Sequence, residues 1–369
     1  MSLALQSKSR AKSFGLAKRR QASVVRRNGP NLFLVEIIMK KTLYLLGAGA
    51  SAKCIPTVAG ISSEMTALDR MVFTSSVKDD GSMKNVFFSD LLAKEFVEDC
   101  RWLGENGLSH GTIDVYAKKL YLKNEKEKLQ KLKLTLSFYL LFKQMHMGHD
   151  VRYDVFLTTI MKLTKGKIVI PEEIIIGTWN YDNQVLIALL NILGLFEPSY
   201  ALQLLDIHPW HSNIHAKNQR PKLFHSNGMA GFATSAFGSV DYYHLIRKRF
   251  NNDSVNEFNK IYREIAPGAN FTIHFAWENE DIVESVRSSF FREIAQVETI
   301  VVIGYSFPTF NRDYDKKILK EATLLKKIYI QDLNPDGVIE RVKSLTEEKI
   351  EIVAIRNSDQ FYIPVEVAI

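Results

Sequence analysis

Residues 42–51 read TLYLLGAGAS: an apolar run, Thr42–Leu46, followed at once by Gly47-Ala48-Gly49-Ala50-Ser51. A short apolar run bounded by glycine predicts a buried strand. Glycines directly after it let the chain turn tightly and approach a pyrophosphate, which then faces the amides of a helix start. Gly47, Gly49 and Ala52 also satisfy a loose dinucleotide fingerprint. Taken alone the stretch is also compatible with a tight turn that holds no ligand; the strand before it favours the ligand.

The same grammar recurs along the chain. Apolar runs bounded by turn residues stand at Ile174–Thr178, Lys222–His225, Thr299–Ile303, Lys327–Gln331 and Ile350–Ile355. Helical patterns follow several of them, at 182–193, 312–325 and 336–344. Strands alternating with helices predict an α/β fold, a doubly wound parallel sheet of Rossmann-like type, with ligands at the carboxyl ends of the strands. Two stretches, about 60–147 and 229–268, exceed what such a sheet needs and read as helical insertions. Within the first, 113–147 has a charged half, Lys123 to Lys133, and an apolar half, Leu134 to Phe142. The second carries VDYYHLIRKRF and VNEFNKIYREIA.

Composition bounds the function. The 369 residues are 46% hydrophobic, enough for a substantial core, and no run of apolar residues is long enough to predict a membrane span. The net charge is +7, but residues 1–38 hold eight basic residues against one acid, Glu36, so the other 331 residues are electrically balanced. The excess lies in a basic N-terminal extension that is expected to be disordered, with an arm for an anionic partner and an organellar transit peptide as the alternatives, and the balanced body gives little reason to expect strong nucleic-acid binding. Met39 opens MKKTLYLLGAGAS, which resembles a protein start, so the domain is expected over 39–369. Cys54 and Cys100 cannot build a disulfide framework or a four-cysteine zinc site, which fits a reducing cytoplasm.

Polar residues cluster at the predicted strand ends. Thr178-Trp179-Asn180-Tyr181-Asp182 closes one strand, and from one turn Asn180 and Asp182 can reach a common crevice. Asp182 could equally cap the following helix. His225, followed by Ser226-Asn227-Gly228, ends another. Gly304-Tyr305-Ser306 and Asp332-Leu333-Asn334-Pro335 close two more, with Asp313 and Asp315 downstream of the first. His208, His211 and His215 have a spacing that could meet a metal on a helix, but Pro209 argues for irregular chain, and no metal site is expected.

In this order, GAGAS, TWNYD, a histidine after a short strand, VVIGYSF and DLNP resemble the sirtuin-like superfamily, and most closely the sirtuin-like NAD-hydrolase domains of bacterial anti-phage defence. The resemblance spans residue 40 to about 355. It implies cleavage of NAD to nicotinamide and ADP-ribose, with no cofactor beyond NAD as substrate and no zinc. It implies that Gly47, Ala48, Gly49 and Ser51 match the phosphate loop and that Thr178, Gly304, Ser306 and Asn334 touch the nucleotide. Asn180 and Asp182 match the polar pair beside the nicotinamide ribose, and His225 the catalytic histidine. Asp114, in GTIDVYAKKL, resembles an acid that faces the same pocket. The family's biology implies a homo-oligomeric effector that depletes NAD, partnered by a HerA-type ATPase or an Argonaute-like protein. Trp179 stands where deacylating sirtuins carry Gln and Ser226 where they carry Gly. Together with the missing zinc ribbon, these departures favour hydrolysis over deacylation. A deacylase and a non-catalytic nucleotide sensor remain as alternatives.

Overall fold

Seven strands pair side by side, all parallel. They are β1 (Lys41–Leu46), β2 (Ile174–Thr178), β3 (Asp206–His208), β4 (Lys222–His225), β5 (Val297–Ile303), β6 (Lys327–Gln331) and β7 (Glu351–Ile355). Their order across the sheet is β7-β6-β5-β1-β2-β4-β3. The computed structural model describes residues 40–369 except 78–82, 196–200, 210–219, 236–237, 249, 266–267, 279–280, 348, 366 and 368–369. The basic extension 1–38, His211 and His215 lie outside the described residues.

The expected doubly wound α/β fold is present. Leu43 and Leu45 of β1 pack with Ile175, Ile300 and Val302 into one core, whereas Tyr44 and Leu46 pack with Ile176, Val301 and Ile303 into another. This alternation on a sheet covered on both faces explains why its strands read as continuous apolar runs. One strand of this sheet escaped the sequence reading. Residues Asp206–His208 form the edge strand β3, where the DIHPWHSNIH stretch reads as irregular chain. A three-residue strand is too short to show a period, and here its pairing with β4 decides the conformation.

Register carries the functional geometry. Leu46 pairs with Ile303 and with Thr178, and Thr178 pairs with His225. The strands therefore end in one row, and Gly47, Gly304, Trp179 and Ser226 leave the sheet at the same level. β1 neighbours β2 on one side and β5 on the other, and the connections leaving β1 and β5 run to opposite sides. A crevice opens between them, at the point where such sheets bind ligands.

The insertions are mixed rather than wholly helical. The first contains helices Lys94–Ser109, Ile113–Leu122 and Lys126–Met147, but also an antiparallel hairpin of Val72–Val77 with Met83–Phe87. The second region adds a three-stranded antiparallel sheet of Phe232–Ser235, Gly238–Asp241 and Asn270–Phe271 beside its helices. The charged-then-apolar stretch 113–147 is two helices. The second of them has Leu136 to Met145 buried throughout, because aromatic rings from both insertions close over it: Phe138 packs 5.4 Å from Phe258, and Phe142 5.1 Å from Phe88. No helix among the described residues is long and apolar enough to cross a membrane.

Candidate active site at the crevice between β1 and β5

Three glycines hold the crevice together. A Cβ on Gly47 would lie 2.6 Å from the Gly304 carbonyl oxygen, one on Gly49 2.7 Å from the Gly304 Cα, and one on Gly304 2.4 Å from the Gly49 Cα. Gly304 also has φ +58°, a conformation L side chains rarely adopt. The two turns thus touch backbone to backbone, and beside them lies a cavity of about 420 Å³, the size of small-molecule sites.

The glycine loop differs from the expected phosphate cradle. A single 3₁₀ turn, Ala48–Ser51, follows β1, and the first long helix starts only at Val58. The Gly49 N–H donates to the Gly304 carbonyl at 3.0 Å and the Ala50 N–H to the Gly47 carbonyl at 2.9 Å. These two amides therefore face the protein. The loop's carbonyls are pinned as well: the Arg152 guanidinium donates to Gly49 O at 3.2 Å and Ala50 O at 3.0 Å while pairing with Asp150 at 2.6 Å. Burial would raise the Asp150 carboxyl, but Arg152 holds it below the usual carboxylate range.

Asn180, Asp182 and Asp114 line the cavity together, with Gly47, Ala48, Gly304 and Ser306. Asn180 Nδ2 donates to the Gly47 carbonyl at 2.9 Å and approaches the Ser51 hydroxyl at 3.5 Å. That fixes its carboxamide and leaves Oδ1 without a partner among the described residues. Asp182 is buried, and its Oδ1 accepts the Gln184 N–H at 3.2 Å. Burial pushes its carboxyl up to about 6 against the lowering effect of that bond and of the Ser51 hydroxyl. Asp114 arrives from the first insertion, in the first turn of the helix Ile113–Leu122, where Thr112 caps the Val115 N–H at 3.2 Å. It keeps partial exposure on the cavity wall, yet the surrounding protein desolvates it and pushes it up to about 6 as well. Two carboxyls pushed up to about 6 on one cavity suit charge stabilisation and proton transfer.

Five predicted residues do not line this cavity. Ser51 is buried and hydrogen-bonded to the Tyr153 hydroxyl at 3.0 Å. Thr178 accepts the Asn180 N–H at 3.0 Å, and Gly49 packs on Gly304. Asn334 is exposed at the start of the helix Pro335–Lys343. His225 is 2% exposed and borders a separate small void with Gly228, Thr272 and His274. Its Nδ1 contacts the Asn180 backbone carbonyl at 3.3 Å, and burial lowers its pKa to about 4. The reason for its displacement is local: Gly228, at φ +82°, lets Thr272 lie directly on the turn, where a Cβ would sit 1.5 Å from the Thr272 carbonyl oxygen. The segment 272–274 thus roofs His225. His208, the described member of the histidine run, is buried and stacks on Phe224 at 4.7 Å.

Other wall residues carry no sequence signal of their own. Trp277 stacks on Phe275 at 4.8 Å and meets Phe310 edge-on at 5.2 Å; all three line the cavity. Trp179 stacks on Tyr305, whose hydroxyl donates to Asp315 at 2.9 Å. Burial pushes Asp315 up to about 8, the Tyr305 hydroxyl opposing it. Behind this wall Arg287, 1% exposed, donates to the Ser226 carbonyl at 3.2 Å, the Glu278 carbonyl at 3.0 Å and Asn227 Oδ1 at 3.3 Å, tying turn 226–227 to the 275–278 segment. The Lys133–Glu278 ion pair at 2.9 Å fixes the same segment to the insertion helix. An arginine within DIVESVRSSFFREI looks like ordinary helix surface, and only the tertiary packing reveals its partners. No protein-family model matches the chain, and no curated protein matches it.

Proposed function

We propose that the chain is an NAD hydrolase that splits the nicotinamide–ribose bond to nicotinamide and ADP-ribose. The observation that carries this reading is the joint placement of Asn180, Asp182 and Asp114 on one aromatic-walled cavity at the crevice between β1 and β5. The leaving nicotinamide is a cationic pyridinium, so it takes the C1′–N bond pair without needing an acid. The ribose left behind is oxocarbenium-like and positive. Asp114 and Asp182 offset that charge, Asn180 holds the ribose or the attacking water, and one carboxylate accepts the water's proton as its hydroxyl bonds to C1′. His225 acts as a positioning residue through the Asn180 carbonyl.

This assignment fixes the pH dependence. Both carboxyls are raised to about 6, so they are ionised above that value and lose their charge as pH falls through it. Turnover should be level from about pH 7 to 8 and drop by about tenfold or more per unit below 6. His225, lowered to about 4, should add no break near 6.5. A profile that stays flat down to pH 4.5 removes the carboxylates from the reaction. Nicotinamide release measured with and without an acetylated peptide separates hydrolysis from deacylation and from binding without chemistry: hydrolysis predicts release that the peptide does not stimulate.

The same reading carries the family's biology, an anti-phage effector acting by NAD depletion as a homo-oligomer with a HerA-type ATPase or Argonaute-like partner. Light scattering across a concentration series, paired with turnover at each step, tests the assembly. A monomer whose turnover is independent of concentration, and unchanged by an added partner, contradicts it.

A further inference from the structure

A dinucleotide brings a diphosphate, and the cavity offers it little. Its lining includes Asp114 and Asp182 but no Lys, Arg or His among the described residues. The Gly49 and Ala50 amides, which a phosphate loop would present, donate to carbonyls of the protein instead. A cation must come from the rim.

One stands there. Lys118 lies four residues after Asp114 on the helix Ile113–Leu122, hence on the same face one turn further along. Its ammonium sits 5.0 Å from the ring centroid of Trp277, which lines the cavity, and 5.0 Å from that of Tyr121. It makes no ion pair with a carboxylate among the described residues, unlike Lys128 with Glu125 and Lys131 with Asp99 on the next helix. Aromatic faces hold an ammonium weakly where water reaches it. An arriving phosphate offers a charge-assisted hydrogen bond, which is stronger.

We infer that Lys118 is the cationic contact for the diphosphate of the nucleotide in this cavity, moving from the Trp277 face to the phosphate oxygens on binding. The inference rests on the nucleotide-binding part of the proposed function and adds a determinant of ligand choice: phosphate-bearing ligands are selected over nucleosides by a side chain outside the glycine loop.

Calorimetric titration of the full chain with ADP-ribose and with nicotinamide riboside tests it, because of the two only ADP-ribose carries a diphosphate. Lys118→Met should weaken ADP-ribose by about 10- to 100-fold and leave nicotinamide riboside within about twofold, while Lys118→Arg retains most of the ADP-ribose affinity. The ADP-ribose affinity of the wild type should fall with added salt, and that of Lys118→Met less steeply. Unchanged ADP-ribose binding in Lys118→Met overturns the inference. So does an equal loss for both ligands, which would assign Lys118 to the support of Trp277, and so does a wild type that binds neither. ADP-ribose binding that depends on Lys118 in a chain that never cleaves NAD would sink the hydrolase reading and leave this one standing.

Discussion

Asn180→Ala should lower NAD cleavage by about 10²–10⁴ while leaving the chain folded. Structurally, the substitution removes the Nδ2 bond to the Gly47 carbonyl at 2.9 Å. A single hydrogen bond of this kind contributes about 0.5–1.5 kcal/mol, and the Gly47 carbonyl keeps the Ala50 N–H at 2.9 Å. For the proposed catalysis, Asn180 lines the cavity beside Asp182 and Asp114, fixed to the glycine turn through Nδ2 and with its Oδ1 uncommitted among the described residues. On the proposed mechanism, losing it removes an oriented dipole at the reacting ribose rather than a general binding contact. Turnover should therefore fall far more than ADP-ribose affinity. Cleavage within about threefold of wild type, at equal folded fraction, would take Asn180 out of the mechanism.

Gly304→Ala should cost about 2–5 kcal/mol of stability, through strain at a left-handed backbone and a clash that cannot relax. Its φ is +58°, and the new Cβ would lie 2.4 Å from the Gly49 Cα and 2.5 Å from the Ala50 nitrogen. Those atoms belong to a turn already fixed by Arg152 and by the Gly49 N–H bond to Gly304 itself, so neither side can move away cheaply. Gly60→Ala is the internal control. It sits in the helix Val58–Ala67, its nearest neighbour would be Pro56 Cβ at 3.8 Å, and its effect should be neutral or stabilising by up to about 1 kcal/mol. Thermal melts of both variants decide it; Gly304→Ala melting with the wild type would show that the two turns are not rigidly packed.

Most of the sheet was legible because its inner strands are buried and so read as apolar runs bounded by turn residues, whereas the three-residue edge strand Asp206–His208 is too short to show a pattern. The row of motifs at those ends was legible too, since parallel register places strand termini at one level. The depth of each residue was not. His225 ends its strand as predicted, yet the sequence holds no sign that Thr272 will lie on Gly228 and close it off. Ser51 and Thr178 sit at the right turns but do not line the cavity: Ser51 bonds the Tyr153 hydroxyl, and Thr178 accepts the Asn180 N–H of its own turn. The aromatic wall was illegible for a related reason. Trp277 and Phe310 are far apart in the chain, in a loop and a short 3₁₀ turn that show no periodicity, and they meet in a segment that Arg287 and the Lys133–Glu278 pair hold in place. Asp114 was reached only through a family resemblance, since an acid in the first turn of a helix is otherwise explained by the helix dipole.

Product analysis reads the proposed chemistry most directly. Purified chain incubated with NAD, followed by chromatographic quantification, should yield nicotinamide and ADP-ribose in equal amounts, with no peptide present and with Asn180→Ala as the inactive reference. NAD recovered intact from a folded wild type that binds ADP-ribose, at every protein concentration used, would contradict the account.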